Sequence, residues 1–162
     1  MRTIRTLDEL REQIGKEVAI SPWVRVDQQR IDLFAQATGD HQWIHVDQGR
    51  ASQESAFGTT IAHGYLTLSL LPDLMSQAVT LPPSEMSINY GLNKVRFPAP
   101  VPQGSMLRAR IKLKGMRWLP AMAGQPEVRV VELIWESSIE CEGMSKPACV
   151  AETISRRYDR IR

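Results

Sequence analysis

Among the 162 residues, one short segment combines the residue types that acid–base chemistry needs. It runs Phe34-Ala-Gln-Ala-Thr-Gly39-Asp40-His41-Gln42-Trp43-Ile44-His45. Asp40 and His45 are five positions apart, just after a glycine of the kind that ends helices. On a regular helix that spacing turns the two side chains about 140° apart. In a loop leaving the helix they can converge on one point, hold a water molecule and exchange protons with it. The plain alternative makes Asp40 a helix-terminal turn residue and His45 a half-buried core histidine.

A second segment, Gly58-Thr-Thr-Ile-Ala-His63-Gly64-Tyr65, opens the most apolar stretch of the chain. Amides in the first turn of a helix have no internal acceptor and lie at the positive end of the helix dipole. A glycine there lets a ligand oxygen approach the backbone. Gly64 is therefore a candidate donor for an enolate oxygen, although close helix packing also explains it. His63 fits a residue that orients the helix entry, and His41 fits a surface position because neighbouring side chains point apart. The three histidines lack zinc-site spacing, and no metal is expected.

These residues need elements to hold them. Leu7 to Ile14 has helical spacing, with Thr6 as N-cap. Glu17 to Arg25 is predicted as a strand broken at Ser21-Pro22. A second helix begins after Asp27, carries Ile31, Leu33, Phe34 and Ala37 mostly on one side, and stops at Gly39. Ile61 to Val79 is apolar all round, as a buried helix would be, with a kink expected at Pro72. The second half alternates with period two: Leu107, Ala109, Ile111 and Leu113 against Arg108, Arg110, Lys112 and Lys114, and again through Glu132 to Cys141. Met86 to Phe97 and Ala148 to Tyr158 are two further strands. A parity change after Gly115, to Met116 and Trp118, predicts a bulge. The expected class is α+β, a curved antiparallel sheet wrapping one long helix.

Composition fits this class. Hydrophobic residues make up 43% of the chain, enough for one core, and residues 1–162 are expected to form a single domain. The net charge of +2 argues against nucleic acid as a partner. No apolar run is long enough for a membrane span, and the N-terminus lacks a signal-peptide core. Cys141 and Cys149 fit buried thiols in a cytoplasmic protein. The cationic row Arg108 to Lys114, together with Arg96, is either a solvated face or an anchor for phosphates. Trp23, Trp118 and Trp135 are expected in packing or dimer contacts.

The segment ending Gly39-Asp40-His41-Gln42-Trp43-Ile44-His45 resembles the hydratase motif of the MaoC-like, (R)-specific enoyl-CoA hydratase family, which reads approximately G-D-x-N-P-hydrophobic-H. Gly39, Asp40, Ile44 and His45 match, whereas Gln42 and Trp43 replace the Asn and Pro. His63-Gly64 follows at the family's spacing, and Val95 to Gly104 is similar to its strand and turn. The likeness runs from about Trp23 to Tyr158 and is strongest to the nodulation protein N-like branch. It implies a hot-dog fold, a homodimer and an acyl tunnel near the dimer interface. The implied substrate is an acyl-CoA or acyl-carrier-protein thioester, with no further cofactor. Asp40 and His45 would be the acid–base pair adding water to a trans-2-enoyl thioester on one face, and the Gly64 amide the oxyanion donor. Gln42, Trp43, His63, Asn89 and Arg96 are candidate substrate-binding residues, with Trp43 a possible wall of the acyl pocket. Two alternatives stay open: a hot-dog thioesterase, and a non-catalytic subunit that binds acyl thioesters.

Overall fold

In the computed structural model, which describes residues 1–120 and 124–160, helices dominate the first half and strands the second. In chain order the elements are β1 (Arg2–Thr3), α1 (Leu7–Arg11), β2 (Glu17–Ile20), β3 (Val24–Val26), α2 (Gln28–Thr38), α3 (Trp43–Val46), α4 (Gln48–Glu54), α5 (Gly64–Ser69), α6 (Leu71–Ala78), β4 (Val79–Thr80), β5 (Met86–Arg96), β6 (Ser105–Trp118), β7 (Val128–Cys141) and β8 (Cys149–Arg160). Six strands form an antiparallel sheet in the order β2-β6-β7-β8-β5, with β3 joining β6 beside β2. β1 and β4 make a small parallel pair. This is the α+β, hot-dog arrangement expected: a curved sheet around a helical segment.

The caps read from sequence are present. Thr6 accepts from the Glu9 N–H and Asp27 from the Arg30 N–H, while Gly39 closes α2 at φ 77°. One face of α2 differs from expectation. Ile31 and Ala35 are its buried residues, whereas Leu33 is 58% exposed and Ala37 is also exposed. The helix packs along a narrower stripe than its apolar content suggests.

The long helix expected over Ile61 to Val79 is two helices. It starts at Gly64, breaks at Leu70, and resumes as α6 with Pro72 in its first turn. The irregularity therefore precedes Pro72, because a proline near a helix start lacks only an amide that would be unpaired anyway. Tyr65 is 69% exposed, so α5 is not buried all round.

The period-two strands behave as their pattern demands. Leu107, Ala109, Ile111 and Leu113 of β6 pack with Leu133, Trp135, Ile139 and Cys141 of β7 in one core. The register shifts between Leu113, opposite Trp135, and Gly115, opposite Ile134, which is the predicted bulge. After it Met116 is partly buried, and Trp118 lies under the Arg129 guanidinium. Trp23 is likewise covered by Arg108, and Trp135 is a core residue donating to Ser155 Oγ. Cys141 and Cys149 are buried free thiols, and burial pushes Cys149 up to about 11. Among the described residues no helix is long and apolar enough to cross a membrane.

Candidate active site

The site forms where α2, α3 and the start of α5 meet. Gly39, in the left-handed region, turns the chain out of α2, so Asp40 leaves at the helix end. α3 then carries His45 inward to 7% exposure, while the Asp40 side chain stays 56% exposed. Two sets of contacts fix α3. Gln28, in the first turn of α2, donates its amide to the His45 carbonyl at 2.8 Å and to Asp32 Oδ1 at 2.7 Å, and accepts from the buried Thr60 hydroxyl. The Ile61 N–H donates to the Ile44 carbonyl at 3.0 Å, and residues 60–62 pair with Val101 to Gln103.

This frame sets the imidazole of His45. Its Nδ1 lies 2.7 Å from the Ile61 carbonyl oxygen. A carbonyl only accepts, so Nδ1 carries the proton and Nε2 is left with its lone pair. Burial pushes the His45 pKa below its ordinary value and His63 adds to this, against opposing contributions from the Ile61 carbonyl and Asp40. The ring is thus biased toward its neutral form, with Nε2 available as a base. Asp40, His45 and His63 each offer a donor atom, all within 4.8 Å of one another. The convergence of Asp40 with His45 is as the loop reading expects. That His63 joins them was not legible from spacing.

A carboxylate and two imidazoles at such distances resemble a cation-binding set. Two of the six side-chain nitrogens and oxygens are already engaged: His45 Nδ1 faces Ile61 O, and His63 Nε2 faces the Asp40 carbonyl at 3.0 Å. A cation would have to displace the latter contact to use that nitrogen. The arrangement as it stands suits proton exchange with a bound water.

Gly64 opens α5. The first intrahelical amide is Thr67 N–H, to the His63 carbonyl, so the Gly64 amide precedes the bonded ladder. A Cβ at Gly64 would lie 2.9 Å from the Phe97 ring, so any other residue there would force Phe97 to shift. Phe97 in turn meets Tyr65 edge to face, with ring centroids 6.0 Å apart.

The remaining candidates separate. Asn89 lines a cavity of about 360 Å³ between α5–α6 and the sheet, together with Leu68, Leu71, Met75, Trp135 and Thr153. Trp43 is not among the lining residues; it is half-buried beneath the Arg50 guanidinium, 4.3 Å from the ring centroid. Gln42 is exposed and its side chain makes no capping bond to α3, whose position Gln28 fixes. Arg96 is exposed and turns back onto the Val95 carbonyl. The cationic row of β6 is matched by carboxylates: Arg108 with Glu140, Arg110 with Glu17, Lys112 with Glu136, Lys114 with Glu152. A solvated, ion-paired face explains it. His41 is exposed, as expected. Gln28 and Thr60, missed in sequence, are polar residues without a local motif and 32 positions apart.

Residues 9–132 match the family model described as the MaoC like domain. The chain therefore belongs to the MaoC-like dehydratase family, a hydro-lyase class built on the hot-dog fold. It is 50% identical over 156 residues to 3-hydroxyacyl-thioester dehydratase Z of Mycobacterium tuberculosis, covering 96% of this chain and 98% of that protein. It is 42% identical over 151 residues to nodulation protein N of Rhizobium leguminosarum bv. viciae, covering 93% and 89%. The solved MaoC-like dehydratase of Rhodospirillum rubrum superposes with a TM-score of 0.69 at 20% identity, covering 92% of this chain and 94% of that one.

Proposed function

We propose that the protein adds water reversibly to a trans-2-enoyl thioester, giving an (R)-3-hydroxyacyl thioester, or removes it in the dehydrating direction. The observation that carries this reading is the convergence of an exposed Asp40 carboxylate on the ring of a buried, neutral His45, within 4.8 Å, with Nδ1 of that ring held by the Ile61 carbonyl. The relative named a 3-hydroxyacyl-thioester dehydratase, at half identity over almost its whole length, supports the same chemistry.

In the hydration direction, water sits between Asp40 and His45. As its oxygen bonds to C3, it gives up a proton to the pair, and the electrons of the double bond move onto the thioester oxygen as an enolate. The Gly64 amide stabilises that oxygen. The pair, acting as one coupled unit, returns a proton to C2 on the same face, so one water is added and the site ends as it began. Only protons and one C–O bond change hands, so the scheme calls for no redox group and no metal.

The cavity lined by Leu68 and Asn89 is the proposed acyl chamber. Leu68 lies one helical turn beyond Gly64, and the cavity's size falls in the ~300–1,000 Å³ range of small-molecule pockets. The thiol carrier is coenzyme A or an acyl-carrier protein. A second copy of the chain is proposed to pair along β5, an edge strand whose Met86, Ile88, Tyr90 and Leu92 are exposed. Light scattering at micromolar concentration reads this directly, and a monomer would overturn it.

The test is the loss of enoyl absorbance from crotonyl-CoA and from medium- and long-chain enoyl-CoAs, with free thiol measured in parallel. Hydration without thiol release, abolished in folded Asp40→Asn and His45→Gln variants, is expected. Thiol release instead would make the protein a thioesterase, and no turnover across chain lengths would overturn the coenzyme A assignment.

A further inference from the structure

The reaction scheme gives His63 nothing to do, yet it is 3% exposed and held on two sides of the chemistry. Its ring stacks on His45, with centroids 3.8 Å apart and planes 27° from parallel. Its Nε2 lies 3.0 Å from the backbone carbonyl oxygen of Asp40. That oxygen can only accept, so Nε2 carries the proton. Nδ1 is buried without a hydrogen-bond partner among the described residues. A polar nitrogen desolvated without compensation is unfavourable, and packing alone would favour a phenylalanine or leucine in its place. Something other than packing accounts for an imidazole here.

The two groups His63 touches are restrained unequally. His45 is fixed at Nδ1 by Ile61 and at its carbonyl by Gln28. The Asp40 carboxylate accepts one long hydrogen bond, from the Gln42 N–H at 3.4 Å, has its other oxygen 4.0 Å from His63 Nε2, and is otherwise half in solvent. The His63 Nε2–H is the hydrogen bond that ties Asp40's backbone to the interior. A reacting group displaced by ~1 Å loses on the order of 100-fold in rate, so this tie bears on turnover.

We propose that His63 is a positioning residue that never touches substrate: its Nε2–H holds the Asp40 backbone, and its ring backs His45, so that carboxylate and Nε2 face one water. This rests on the acid–base reading of Asp40 and His45. It departs from the expectation that His63 binds substrate.

Three substitutions separate the donor from the ring. In His63→Gln the side-chain amide nitrogen reaches about where Nε2 lies. In His63→Asn it reaches only the Nδ1 position, and His63→Phe keeps a ring with no donor. With crotonyl-CoA, His63→Phe and His63→Asn are expected to lose on the order of 100-fold in kcat with KM little changed, and His63→Gln to recover most of it. Wild-type kcat in His63→Phe overturns the proposal. So does a folded His63→Gln, judged by its Tm, that is as impaired as His63→Phe.

Imidazole 15N shifts of the wild-type protein give a readout independent of turnover. A proton on Nε2 of His63 is expected, and a proton on Nδ1 overturns the contact. If the wild-type protein turns over no enoyl thioester, the acid–base reading falls, and the tie is judged by amide exchange over residues 40–42. Faster exchange in His63→Phe supports it and unchanged exchange overturns it.

Discussion

The outer face of the sheet and the Asp40–His45–His63 pocket are both dense in ionisable groups and treat them in opposite ways. On that face the charges of β6 and many of those on β7 and β8 have their complements. Arg108 reaches Glu140 at 2.6 Å, and Glu132, 1% exposed, is bracketed by Arg117 at 2.7 Å and Arg156 at 2.9 Å. Burial pushes the Glu132 carboxyl up, but hydrogen bonds from Arg156 and Arg117 outweigh this and hold it below its ordinary range. In the pocket the histidine rings are held yet, among the described residues, the groups are left short of partners: a carboxylate with no Lys or Arg against it, a His45 Nε2 without a hydrogen bond, an uncompensated His63 Nδ1. Complete pairing belongs to structure, and rigid placement with spare bonding capacity belongs to chemistry.

The sharpest way to break that comparison is to remove the spare capacity. Asp40→Asn and His45→Gln are each expected to lower kcat by ~100–10,000-fold, the usual contribution of a positioned acid or base. A variant within tenfold of wild type would remove its residue from the mechanism. Next comes Gly64→Ala, whose methyl group would press on Phe97. We expect a stability loss of ~1–3 kcal/mol from overpacking together with reduced kcat. Adding Phe97→Leu should restore the Tm, and a Gly64→Ala protein with an unchanged Tm would show that Phe97 yields freely.

A gentler perturbation is pH. Because burial lowers the pKa of His45, the base form persists below the ordinary value of ~6.5. The acidic limb of kcat/KM for crotonyl-CoA should therefore be centred under ~6.5, with activity present above it and lost as pH falls through the folded-state value. A limb centred higher would be inconsistent with His45 as the base. The smallest effect is expected on the sheet. Lys112→Ala removes an exposed partner of Glu136 and should cost under ~1 kcal/mol with kcat unchanged. A large loss of activity there would revive the cationic row as a phosphate anchor.

Much of this contrast was legible before any coordinates. Alternation in Leu107 to Leu113 marks both a strand and its buried face, and the parity change past Gly115 marks the bulge. Asp27 and Gly39 bracket α2, and a glycine just ahead of Asp40 places that residue in a loop where it can meet His45. These are local signals, read within a few residues. The missed features are not local. Gln28 meets Thr60 across 32 positions, and His63 stacks on His45 from 18 positions away. No spacing rule joins residues brought together only by packing. Leu33 shows the converse error: an apolar residue on the expected side of a helix still faces solvent where nothing packs over it.

The two thiols on adjacent strands have a practical consequence. Cys141 and Cys149 are both enclosed, and with Cys149 raised to about 11, only about one Cys149 in 10,000 would be thiolate at neutral pH. To a maleimide probe the folded protein is close to cysteine-free as nature made it. A single cysteine placed on β5 or beside Asp40 would then be the dominant handle for a spin label or fluorophore, letting assembly and loop motion be followed without first stripping the native sulfurs.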